Sequence, residues 1–122
     1  KYITSTRSLP DSDNYVILLF NPGCEGCQAE AEIILDNIDS FDKSCVLFLS
    51  PDSLDRIETF MMNYQLYGRD NVLYGQVDMD TIKNKLGVSA IPWSFIYDYN
   101  KNLLKSGLAV THADIKKYFL KE

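Results

Sequence analysis

"NPGCEGCQAE", residues 21–30, sets Cys24 and Cys27 three positions apart directly behind the apolar run "YVILLF" (15–20). A continuous run of this kind, rich in β-formers, is what a strand covered on both faces requires. Behind the "NPG" breaker, "CQAEAEIILDNI" carries Ala31, Ile34, Leu35 and Ile38 at helical spacing, with acids on the other face. Asn21 or Gly23 is expected near the start of that helix, and Asp39-Ser40 near its end. Two cysteines at this spacing fit three chemistries: a redox pair, half of a metal site, or two small core residues.

Outward from the motif, "CVLFLS" (45–50) repeats the buried-strand pattern. "SPDSLDRIETFMMNYQL" then opens with Ser50 or Ser53 as a cap and spaces Leu54, Ile57, Phe60, Met61 and Tyr64 along one helical face. Strand, helix, strand, helix with short connections implies a right-handed parallel crossover. Residues 71–77 are expected as a short strand or an extended loop. "DMDTIKNKLGV" reads as a short helix capped by Asp78 or Asp80, with Ile82 and Leu86 on one face and Gly87 as its stop. "PWSFIYDYNKNLLKSGL" alternates around Asn100-Lys101-Asn102, an antiparallel hairpin. Thr111 caps a last helix whose apolar stripe is Ile115, Tyr118 and Phe119.

The composition bounds what such a chain can be. With 122 residues, 46% apolar and 24% charged, it suits one domain that buries roughly two thirds of the surface its unfolded chain exposes. We assign 1–14 to an N-terminal extension and 15–122 to the domain, and expect a monomer. A net charge of -5 argues against a nucleic-acid surface, which needs a clustered basic face. No apolar stretch approaches the ~20 residues of a membrane span. Three cysteines cannot all pair internally, and so few in a chain of this length do not make a disulfide scaffold. The sequence begins at Lys1 rather than Met, so any signal peptide or anchor is expected to lie outside it.

The skeleton of strand, CxxC, helix, strand, helix, then an Ile91-Pro92 step into a hairpin and a last helix resembles the thioredoxin fold, an α/β arrangement. Within it, the chain is most similar to the TlpA-like thiol-disulfide oxidoreductases of bacterial cell envelopes. "VILLFNPGCEGCQAE" carries the redox motif of this resemblance, and "LGVSAIPWSFIYDYNKNLL" its proline loop and hairpin. The match runs from Tyr15 onward, and residues 1–14 carry none. The resemblance implies a central mixed sheet of four to five strands flanked by helices on both faces. It implies a cis Pro92 packed against the cysteine pair, with the backbone of Ile91 pairing with the incoming substrate strand. It also marks departures: Gly23 stands where tryptophan is common, Gln28 where a base is frequent, Leu18 where a buried acid is familiar, and Trp93 where threonine is usual. Glu30, three after Cys27, matches an acid that in TlpA-like proteins is linked to proton handling; the bland alternative is a solvated glutamate.

Physical reasoning reaches the same residues. A cysteine in the first turn of a helix meets the positive end of the macrodipole and unpaired N–H groups, which favour thiolate over thiol. Cys24 is therefore expected to attack and Cys27, one turn on along the same face, to resolve. Glu25 sets a like charge beside the forming thiolate and is expected to modulate the acidity of Cys24, favouring a reductant over an oxidase. Trp93 is expected to form a rim for substrate or to cap the core. Cys45 reads as a buried hydrophobe, His112 as solvated, and "MMNY" (61–64) as core packing with a solvated side.

The leading expectation is an enzyme of thiol-disulfide exchange that acts on protein disulfides, draws electrons from an upstream donor protein and needs no cofactor beyond its own cysteines. The resemblance implies a periplasmic or envelope location; the cytoplasm is the other. One alternative is copper or zinc handling, although zinc wants four ligands and beyond Cys45 and His112 little is on offer. The other is a non-catalytic binding module.

Overall fold

The computed structural model describes residues 1–119; residues 120–122, the end of the expected domain, lie outside the described residues. Five strands form one mixed sheet: β1 (Asn14–Leu19), β2 (Ser44–Ser50), β3 (Val72–Gln76), β4 (Trp93–Asp98) and β5 (Leu103–Gly107), in the order β3-β2-β1-β4-β5. β1 pairs in parallel with β2, and β2 with β3, whereas β4 runs antiparallel to both β1 and β5. β1 sits at the centre, as its unbroken apolar sequence requires. The segment left open between strand and loop at 71–77 is strand β3.

Alternation along β1 sends its side chains to two different cores. Val16, Leu18 and Phe20 join the large cluster built with helices α1 (Glu25–Asp36), α2 (Leu54–Asn63) and α3 (His112–Tyr118). Tyr15, Ile17 and Leu19 face the other side, which is covered by Ile3 and Leu9 of the N-terminal segment and by Ile82 and Val88 around a π-helical turn, Thr81–Lys85. Each fully buried Phe or Leu in these clusters contributes on the order of 2 kcal/mol, set against the entropy of ordering it. Phe20 at the end of β1 packs on Phe48 and Phe60, with ring centroids 5.5 and 4.7 Å away, and so ties α2 to the sheet just below the cysteine motif.

Several expected boundaries and faces need correction. α1 begins at Glu25 with Cys24 as its N-cap, directly after the expected Gly23, and it ends at Asp36, short of Asp39-Ser40; a 3-10 turn covers Ile38–Phe41. Its buried face is Cys27, Glu30, Ala31 and Ile34, so Glu30 does not share the solvated acidic face, and Leu35 and Ile38 are only half-buried. Ser53, not Ser50, caps α2. The expected helix at 78–87 shrinks to the single π-helical turn, held by Asp78, whose carboxylate accepts the Thr81 N–H at 2.7 Å; Leu86, expected on its inner face, is exposed. Gly87 at φ 68 ends it, a conformation that favours glycine. The Asn100-Lys101-Asn102 turn forms as expected, with Asp98 Oδ1 accepting the N–H of Asn100 and of Asn102 at 2.9 Å each.

The N-terminal extension is packed onto the domain. Residues 1–3 run beside β3, where Tyr74 N–H donates to Lys1 O and Ile3 N–H to Tyr74 O, both at 2.9 Å.

Candidate functional site

Strand register brings the two sequence motifs to one end of the sheet. Leu19, the last residue of β1, pairs with Trp93, the first of β4. The loop after β1 carries Cys24 and the loop before β4 carries Pro92, so the two loops meet at that edge. Contact follows: a Cβ built on Gly26 would lie 3.4 Å from Pro92 Cδ, 3.5 Å from Pro92 Cγ and 3.9 Å from Cys24 Sγ. The Ile91-Pro92 peptide is cis. The proline ring thus lies against Gly26, between the two cysteines.

Cys24 is the N-cap of α1 and is partly exposed, and its sulfur accepts the Cys27 N–H at 3.2 Å. That bond satisfies one of the unpaired N–H groups at the start of the helix. Cys27 is buried, 1% exposed, and its thiol is pushed up to about 12 by that burial first and by the adjacent Cys24 sulfur second. One thiol thus faces solvent and the other is held protonated beneath it. Both are free, as is Cys45.

Glu30 lies one turn below Cys27 on the same face and is 1% exposed. Burial lifts its carboxyl from an ordinary 4.5 to about 7, against the hydrogen bond from the Val110 N–H at 2.5 Å, which favours the charged form. Glu30 in turn contributes to raising Cys27. Val110 is fixed by the cap of α3: Thr111 and Asp114 exchange backbone and side-chain hydrogen bonds, and Asp114 is ion-paired with Lys105. Leu18, where a strand-borne acid was the familiar feature, is fully buried in the same cluster as Cys27. The carboxylate near Cys27 therefore comes from the helix and not from the strand.

The other expected residues fall as follows. Glu25 is exposed in the first turn of α1. Ile91 and Pro92 are half-buried at the mouth, and Ile91 packs against both the large core and the smaller one around Leu19. Trp93 is half-buried against that smaller core and its Nε1–H donates to Ser106 Oγ at 3.0 Å. Cys45 and His112, the residues considered to complete a zinc set, lie elsewhere. Cys45 belongs to the cluster with Tyr15 and Leu47, on the face away from Cys27. His112 sits 3.4 Å from Asn37, at the far end of α1, roughly 20 Å along the helix from Cys24. Among the described residues no group of three or more His, Cys, Asp or Glu side chains converges to hold a metal ion.

Three contributors were not singled out in the sequence. Gly26 accommodates Pro92, and its signal is a residue without a side chain inside the motif. Val110 acts through its backbone N–H, which leaves no signature. Arg56, on the first turn of α2, has Nη2 3.7 Å from where a Cβ on Gly23 would be; only the fold brings it to the cysteine loop.

No family model and no curated protein sequence matches the chain. Solved structures do. A thioredoxin-like protein from Aeropyrum pernix superposes with a TM-score of 0.76 at 16% identity, over 89% of this chain and 77% of that one. A secreted Mycobacterium tuberculosis disulfide oxidoreductase, described as homologous to E. coli DsbE, gives 0.71 at 15% identity, over 93% and 84%. The thioredoxin domain of a thiol-disulfide oxidoreductase from Bacteroides vulgatus gives 0.71 at 14%, over 90% and 81%. The fold is thioredoxin-like: a mixed five-stranded sheet flanked by helices, with the CxxC and proline loops at one edge.

Proposed function

We propose that the protein is a thiol-disulfide oxidoreductase that reduces protein disulfides through Cys24 and Cys27. One observation carries the reading: a partly exposed sulfur at a helix N-cap with a buried thiol one turn behind it, and Pro92 against the Gly26 that lies between them. The Cys24 thiolate attacks one sulfur of a substrate disulfide, and the other substrate sulfur leaves as a thiolate that takes a proton from water. The Cys27 thiol gives its proton to the Glu30 carboxylate, and Cys27 sulfur attacks Cys24 sulfur. The second substrate sulfur departs, and a Cys24–Cys27 disulfide remains. Two electrons have passed to the substrate, and a dithiol on an upstream donor protein restores the pair. A carboxyl at about 7 serves this transfer well near neutrality, being part ionised to accept and part protonated to return the proton. The Ile91 backbone beside the mouth supports pairing with an extended substrate segment, with Trp93 behind it at the start of β4.

Direction and setting follow from the same features. Glu25 opposes negative charge on Cys24 and so supports a reductant, with a potential nearer ~−270 mV than the ~−120 mV of a strong oxidase. An envelope location of the TlpA-like kind accords with the fold's likeness to a secreted oxidoreductase. Among the described residues no helix is long and apolar enough to cross a membrane.

Dithiothreitol-driven insulin reduction is the direct test. We expect turnover with the native chain, none with Cys24→Ser, and a trapped mixed disulfide with Cys27→Ser. Equal rates for native protein and Cys24→Ser would end this reading.

A further inference from the structure

A cleft of about 290 Å³ with mixed lining opens beside the cysteine loop, where Phe60 and Pro22 meet the polar Gln28, Arg56, Thr59, Asn63 and Tyr64. Its wall toward α1 is closed by Gln28, whose Nε2–H donates to Pro22 O at 3.0 Å. Among the described residues Arg56 is its one charged lining residue, in a chain of net charge -5. The guanidinium is aimed. Asp52 holds the Nε edge at 3.5 Å, and Asp52 is itself set by its N–H to Ser50 Oγ and by its carbonyl, which accepts from Gln76 Nε2. The Nη edge is thereby turned toward Gly23, with Nη2 3.7 Å from a Cβ position there, one residue before the reactive sulfur. Gly23 has no side chain to cover it.

From this geometry we infer that Arg56 is a specificity residue: the cleft receives an acidic side chain of the substrate polypeptide, next to the cysteine that Cys24 attacks. A planar guanidinium with one edge tied and the other free presents two N–H groups at the spacing of a carboxylate, which neither lysine nor an amide reproduces. The hydroxyls of Thr59 and Tyr64 and the Asn63 amide add neutral donors, while the Asp52 carboxylate on the Nε edge offsets part of the guanidinium's charge. Arg56 is more than half exposed, so the preference is modest and salt-sensitive.

The inference rests on the exchange reading, and its test separates the two. Three disulfide peptides, alike except for Glu, Gln or Lys beside the cysteine, are reduced by native protein and by Arg56→Gln. The native protein should favour Glu over Gln by roughly fivefold in kcat/KM at low salt and disfavour Lys, as one exposed ion pair allows. Arg56→Gln should bring the Glu-to-Gln and Lys-to-Gln ratios toward one, and Arg56→Lys should restore part of the preference. A Glu-to-Gln ratio that is the same in native protein and Arg56→Gln overturns the recognition alone. No reduction of any peptide, with Cys24→Ser no different, overturns the exchange reading and this inference with it.

Discussion

At the scale of single residues, burial and hydrogen bonding set Cys24, Cys27 and Glu30 in three different environments. The two cysteines were legible in the sequence because their spacing and the strand before them constrain few alternatives. Glu30 was legible as a candidate, but its burial was not. Its place three residues after Cys27 and four before Ile34 puts it on the stripe that faces the core, yet a carboxylate there is so costly that the charge outweighed the spacing in the reading. The cost gives a prediction. Glu30 has a folded-state value of about 7 against an ordinary 4.5, so the folded state holds its proton longer than the unfolded state does. Its contribution to stability is therefore fully present below about 4.5 and is lost as pH rises through about 7. Glu30→Gln keeps an acceptor for the Val110 N–H and removes this loss. Urea unfolding should show the variant gaining on the native protein by about 3 kcal/mol between pH 4 and pH 8, with slower release of trapped mixed disulfide. A difference independent of pH would contradict the buried ionisation.

At the scale of elements, β1 and β2 declared themselves through continuous apolar runs, β4 and β5 through alternation about a turn, and helix α1 through its stripe. The helical turn was read only as a longer helix, and the N-terminal segment not at all. Both cover the sheet face that α1, α2 and α3 leave open, and both do so with few residues: Ile82 and Val88 in one case, Ile3 and Leu9 in the other. Segments this short carry too little periodicity to be read. Residues 1–3 are nonetheless fitted to β3, because a Cβ on Gly75 would lie 2.8 Å from Ile3 O, closer than real side chains come. Gly75→Ala should push the segment off the edge of β3, costing about 1–3 kcal/mol in urea unfolding and exposing the Ile3 and Tyr74 amides to hydrogen exchange. Native stability and native protection in this variant would show that the segment does not need the close approach.

At the scale of the whole molecule, the fold supplies what no local stretch contains: antiparallel pairing of Leu19 with Trp93 carries Pro92 from 65 or more positions away onto Gly26 and Cys24. The expected thioredoxin-like sheet was legible from the order of elements, because that order with short connections leaves few topologies. Arg56 and Val110 were not legible, since each reaches the site only through packing between elements far apart in sequence. The central claim is that Cys24 and Cys27 form one reversible two-electron couple poised for reduction. Equilibrating the protein with glutathione buffers of graded ratio, then alkylating and weighing peptides, tests it most directly. We expect Cys24 and Cys27, alkylated after acid quenching and unfolding, to lose and regain reactivity together with a midpoint nearer ~−270 mV than ~−120 mV, while Cys45, on the sheet face away from Cys27, is alkylated throughout. A midpoint above about −160 mV would contradict the reductant direction, and cysteines that never pair would contradict the couple itself.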